Sequence, residues 1–90
     1  MSKISLEKTI KIKEEIIRVL FENSPKALFT VEIAKEMARD EEFISRLLKE
    51  LNTQKITQEV NKNSKGFDYI ARKRWQLTNE AYDAYKKLNS

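Results

Sequence analysis

Ninety residues, 40% hydrophobic and 36% charged, suit one small soluble globular domain and exclude a collagenous or low-charge membrane chain. Cys and His are absent and Gly occurs once, which excludes disulfides, thiolate or imidazole metal sites, the commonest general base and a phosphate-cradling Gly-rich loop; no catalytic residue, cofactor or metal is expected. The net charge of +4 is confined to residues 55–75, where Lys55, Lys62, Lys65, Arg72, Lys73 and Arg74 face only Glu59 and Asp68, and a localised basic patch is either a polyanion-binding footprint or a solvated face.

The first element reads as a helix over residues 6–22. Its apolar residues Leu6, Ile10, Ile12, Ile16, Ile17, Val19, Leu20 and Phe21 cover an arc of roughly 200° at helical spacing, wider than one core needs and broken only by Lys13. Ser5 is the expected N-cap, with Glu7 in the first turn. Asn23-Ser24-Pro25 ends the helix, since Pro25 disfavours helical backbone at Ser24. Leu28-Phe29 reads as a short strand, and Thr30 as the cap of a helix over 31–38 with Val31, Ile33, Ala34 and Met37 inward. After Arg39, Asp40 caps a third helix over 41–52. Phe43, Ile44, Leu47, Leu48 and Leu51 share its inner face, and Glu42, Ser45, Arg46, Lys49 and Asn52 share the outer one.

Beyond Asn52 the period changes. Ile56 to Val60 carries a strand signature, Asn61 to Gly66 is rich in turn residues, and Phe67 to Leu77 reads as a returning strand with Trp75 and Leu77 on one face. Residues 56–77 therefore form a hairpin with a long connection. Thr78 caps a last helix over 79–88, striped by Ala81, Tyr82, Ala84, Tyr85 and Leu88. No repeat or low-complexity tract occurs. No apolar run exceeds Val19-Leu20-Phe21 in length, so neither a transmembrane span nor a signal sequence is expected and the location expected is cytoplasmic.

Val31 to Met37, a short break, Ile44 to Leu51 and then Ile56 opening a strand resemble a winged helix-turn-helix. The tail Trp75-Gln76-Leu77-Thr78-Asn79-Glu80-Ala81 is similar to the junction where multiple-antibiotic-resistance-type (MarR-like) regulators leave the wing and enter a last helix. The resemblance spans about residues 10–88. It implies a mainly α, α+β fold with a small antiparallel hairpin, in the order helix, short strand, helix, helix, strand, wing, strand, helix, filling residues 1–90 as a single domain. It also implies a small transcription regulator that binds double-stranded DNA, with the third helix as recognition helix. This chain departs from the family pattern in two places. Ala38 and Arg39 stand where family members usually place Gly and an apolar residue, and the third helix opens on Asp40-Glu41-Glu42, whose carboxylates would face phosphates in a close groove dock.

Ser45, Arg46 and Lys49 are the outer residues of that helix best placed to meet DNA, Arg46 by a bidentate contact to guanine. The plainer reading pairs Arg46 and Lys49 with Glu42 or Glu50 along the helix, at about 0.2–0.5 kcal/mol per pair. The wing supplies Lys62 and Lys65 at its tip and Arg72, Lys73 and Arg74 on its returning strand. Alternation sends Arg72 and Arg74 to the face opposite Trp75 and Leu77, exposed toward phosphates or the minor groove; the alternative is a charged guard on a hairpin edge. Trp75 and Phe67 are core residues rather than base-stacking platforms. Glu14-Glu15, Glu32/Glu36 and Asp40 to Glu42 are solvated helix surface rather than Mg²⁺ ligands.

The wide arc of the first helix leaves Ile12, Ile16 and Val19 for a second surface, and the last helix offers Tyr82, Tyr85 and Leu88. A homodimer through these helices is expected, addressing half-sites about 34–36 Å apart. A winged-helix module that docks a protein and leaves DNA untouched is the rival reading, favoured by the acidic start of the third helix and opposed by the basic wing.

Overall fold

A computed structural model describes residues 6–60 and 73–89 of the chain. In order these form α1 (Leu6–Asn23), β1 (Leu28–Phe29), α2 (Thr30–Met37), α3 (Glu41–Thr53), β2 (Thr57–Val60), β3 (Arg74–Leu77) and α4 (Asn79–Leu88). The strands make one antiparallel sheet in the order β1-β3-β2, with Trp75 of the central strand opposite Leu28 on one side and Glu59 on the other. This is the expected α+β winged-helix fold. The expected cap Ser5, the turn-rich stretch with Lys62 and Lys65, and residues 67–72 of the returning strand, Arg72 among them, lie outside the described residues.

The core is built where α1 crosses α2, α3 and the sheet. Ile12, Ile16, Val19 and Leu20 of α1 meet Ile33 and Ala34 of α2, Ile44, Leu47, Leu48 and Leu51 of α3, and Leu28, Trp75 and Leu77 of the sheet. Each large side chain removed from water here contributes about 1.5–3 kcal/mol. The expectation that Ile12, Ile16 and Val19 serve a second surface is therefore corrected: all three are buried within the protomer. A domain this small has few apolar residues to spare, and α1 is enclosed by three elements at once. What α1 leaves outside is Leu6, 77% exposed, and Ile10, 48% exposed. Val31, expected inward on α2, is also exposed.

Local chemistry fixes the ends of the elements. Asp40 accepts a hydrogen bond from the Phe43 amide at 3.0 Å and caps α3. Thr78 accepts from the Ala81 amide at 3.1 Å and caps α4, while its hydroxyl also lies 2.9 Å from the Lys55 carbonyl, to which it donates. At α2 the expectation is corrected, because the N-cap is Phe29, whose amide donates to the Glu32 carboxylate at 2.9 Å. Thr30 is the first residue of the helix rather than its cap, and its hydroxyl accepts the Trp75 indole N–H at 2.9 Å across the fold. The turn from α2 to α3 closes on Ala38 in left-handed geometry, φ 54° and ψ 46°, and its amide and that of Arg39 bond back to the carbonyls of Lys35 and Ala34.

In β2 the fully buried position is Thr57, with Ile56 just before the strand only half-buried. Thr57 is accommodated because its hydroxyl donates to the Leu48 carbonyl of α3 at 3.1 Å. The α4 stripe is shallower than its pattern suggests: Ala81, Tyr82 and Tyr85 are half-buried, while Ala84 and Leu88 are exposed. Phe21 of α1 clasps this helix, stacking on Tyr82 and tilting against Tyr85 with both ring centroids 4.8 Å away.

Candidate nucleic-acid interface

The outer face of α3 follows from its inner one. Burying Ile44, Leu47, Leu48 and Leu51 turns Glu42, Arg46 and Lys49 to solvent, with Ser45 half-buried beside them. The Arg46 guanidinium carbon lies 5.2 Å from the centroid of the Phe43 ring one turn earlier, a contact worth about 0.5–1 kcal/mol at an exposed site that holds the cation near the helix without consuming its donors. The pairing of Arg46 or Lys49 with Glu42 or Glu50 does not occur. Glu50 is instead held at 2.8 Å by the ammonium of Lys13 from α1. Asp40, Glu41, Glu42 and Ser45 line an open depression at the start of the helix, and among the described residues no acidic group is arranged to hold a metal.

The described part of the wing carries Lys73 and Arg74 on and beside β3. Trp75 and Leu77 face the core as expected, but Arg74 is half-buried rather than fully exposed. Its guanidinium lies 5.8 Å from the centroid of the Phe29 ring, because pairing of Arg74 with Phe29 across the β1–β3 ladder brings the aromatic ring alongside. Lys73 reaches the Glu59 carboxylate of β2 at 3.3 Å, both side chains part-exposed. Ser45, Arg46 and Lys49 thus share one helix face, Lys73 and Arg74 share one strand end, and the two groups stand on separate elements. Lys62, Lys65 and Arg72 lie outside the described residues.

Phe29, Phe43, Glu59 and the Lys13–Glu50 pair also shape this surface, although sequence reasoning does not single them out as interface residues. Lys13 leaves a signal, as the one cation interrupting an apolar arc, and Phe43 leaves one by standing three residues before Arg46 on the same helix. A further ion-pair group lies on α1, where Arg18 bonds Glu22 at 3.1 Å and Glu15 at 3.4 Å; the Glu22 hydrogen bond foremost raises the Arg18 pKa above its usual value.

No protein-family model matches the chain, and no curated protein matches it. Solved structures do. A mutant of MepR from a multidrug-resistant S. aureus clinical isolate superposes with a TM-score of 0.72 at 20% identity, over 89% of this chain and 55% of that one. The S. aureus MepR–DNA complex gives 0.70 at 17% identity, over 92% and 68%. A mutant of Lactococcus lactis ZitR gives 0.67 at 19% identity, over 99% and 54%. These neighbours are MarR-family winged-helix regulators, and the likeness establishes the winged-helix fold for this chain. The chain spans about half the length of the MepR and ZitR mutant chains. Among the described residues no helix is long and apolar enough to cross a membrane.

Proposed function

We propose that this chain is a transcription regulator, not an enzyme, that binds double-stranded DNA as a homodimer. The outer face of α3 would read the duplex and the wing would grip its backbone. One observation carries the reading: Arg46 and Lys49 stand on the solvent side of the second helix of a helix-turn-helix, unpaired with any carboxylate among the described residues. The MepR–DNA complex supports it as a neighbour of the same fold bound to DNA. In this reading Ser45, Arg46 and Lys49 meet the duplex from α3, and Lys62, Lys65, Arg72, Lys73 and Arg74 of the wing neutralise phosphates.

The test is a titration of duplex DNA at several salt concentrations. Replacing Arg72, Lys73 and Arg74 together with Ala is expected to flatten the slope of log K against log[salt] by about 2–3 units per protomer. Replacing Arg46 and Lys49 is expected to change sequence preference more than slope. An unchanged slope in the triple variant removes the wing from the interface. Absence of duplex binding by the unmodified chain at low salt overturns the proposal and leaves the protein-docking reading, which the acidic depression at the start of α3 favours.

A further inference from the structure

Lys73 and Arg74, the cations of the described part of the wing, are neighbours in sequence and are held in different ways. In the register of the sheet Glu59 of β2 stands directly opposite Trp75 of β3, and residues paired in this way project from the same face. Lys73, two residues before Trp75, projects from that face as well. Arg74 projects from the other, where its guanidinium meets the Phe29 ring. The face shared by Glu59, Lys73 and Trp75 is the one that packs on the helix-turn-helix, since Trp75 bonds Thr30 of α2 and Thr57 bonds the Leu48 carbonyl of α3.

Where the buried row ends on this face, Lys73 and Glu59 form an ion pair across the two strands at 3.3 Å, their side chains 38% and 27% exposed. Glu59 is one of only two acids in residues 55–75, Asp68 being the other, against six cations. A part-exposed pair of this length adds little to the fold. Its effect on what Lys73 can do outside the molecule is larger. An ammonium bonded to a carboxylate brings no net charge to a phosphate, and counterions leave a duplex only in proportion to the phosphates neutralised. Resting on the proposed grip of the wing on the DNA backbone, we infer that Glu59 attenuates that grip through Lys73: a phosphate has to displace the carboxylate, so the contact Lys73 makes is offset by the one it gives up.

Two other roles for Glu59 make different predictions. A carboxylate that aims the ammonium at the duplex strengthens binding, so its removal weakens it. A carboxylate that repels phosphates from a distance acts whether or not Lys73 is present. An attenuator that works through Lys73 does neither. The experiment titrates the unmodified chain, E59Q, K73M and E59Q/K73M with a random-sequence duplex of fixed length at several salt concentrations. Gln retains the size of Glu and Met the apolar stem of Lys, and circular dichroism confirms that each variant is folded.

The expected result is tighter binding by E59Q, with a slope of log K against log[salt] steeper than that of the unmodified chain by about 0.9, the increment of one phosphate contact. Lowering the salt from about 200 to about 50 mM then raises the affinity of E59Q about 3.5-fold more than that of the unmodified chain. In the K73M background the same substitution of Glu59 leaves the slope where it was. Weaker binding by E59Q, or equal steepening with and without Lys73, overturns the inference. So does an unchanged E59Q slope beside the expected loss in the variant lacking Arg72, Lys73 and Arg74, a result that leaves the wing in the interface. Unchanged slopes in both variants, or no duplex binding by the unmodified chain, overturn the reading of the wing or of DNA binding itself, so the failures are distinguishable.

Discussion

Ala38 holds the turn between the two helices at φ 54°, where a β-carbon approaches the following carbonyl and costs roughly 1–2 kcal/mol. Its backbone conformation is imposed by the bonds that close α2, since the Ala38 and Arg39 amides satisfy the carbonyls of Lys35 and Ala34. Glycine relieves the clash and gives back part of the gain through a more flexible unfolded chain, so Ala38→Gly is expected to stabilise the fold by about 0.5–1 kcal/mol. The same change at the exposed helical Ala84 is expected to destabilise by about 0.5–1 kcal/mol. Urea midpoints measure both, and a lowered midpoint for the Ala38 variant would show that the left-handed site carries no strain. At this scale the sequence is readable where the partner is close. Asp40 and Thr78 are legible as caps because a short oxygen side chain bonds an amide three residues on. Thr30 looks like a third cap but is the first helical residue, and its hydroxyl accepts the indole N–H of Trp75, 45 residues away, a partner no local pattern reveals.

The elements differ in how firmly they are held. α3 buries four large aliphatic side chains, whereas α4 buries none completely and rests on the Phe21–Tyr82–Tyr85 clasp. Aromatic pairs add about 0.5–1.5 kcal/mol each beyond their area. Phe21→Ala is therefore expected to raise hydrogen exchange of α4 amides while α3 amides keep their protection, the behaviour of a separately opening unit. Equal acceleration in both helices would show that α4 and the core open together. Helical period exposes α1, α3 and α4 in the sequence, and alternation exposes β3 through Trp75 and Leu77. Strand β2 is less legible. Its fully buried residue is Thr57, whose hydroxyl can enter the interior only because a carbonyl of α3 receives it. The outer residues of α3 are readable for the same reason as its inner ones, since one face fixes the other, and Phe43 under Arg46 follows from its place three residues earlier; the aromatic rest of Arg74 depends on Phe29, a neighbour only across the sheet.

For the whole molecule, the apolar surface left over is smaller than the arc of α1 implies. Leu6, Ile10 and Leu88 are the exposed remnants on the terminal helices, and the proposed homodimer has to be built on them rather than on Ile12, Ile16 and Val19. Replacing Leu6 and Ile10 with Ser is expected to shift sedimentation equilibrium at micromolar concentration toward the 10.7 kDa monomer and to move the unfolding midpoint of the monomer little, because neither side chain belongs to the core. A single monomeric species for the unmodified chain at every concentration would rule out the dimer. The width of an apolar arc overstates free surface in a domain this small. Helical geometry tells which residues share a side of α1, and only the tertiary arrangement tells that three elements close over it.

Trp75 is the chain's one tryptophan, 1% exposed, in the central strand with its indole N–H bonded to Thr30 at the start of α2. The molecule therefore carries a single indole fluorophore at the seam between sheet and helix-turn-helix. A collisional quencher dissolved in the solvent reaches that ring only when the seam parts, so the accessible fraction of the emission measures opening of this junction without a label. A ligand settling on the solvent side of α3 leaves the indole in the same surroundings, and loss of the seam and occupancy of the surface are optically separable events.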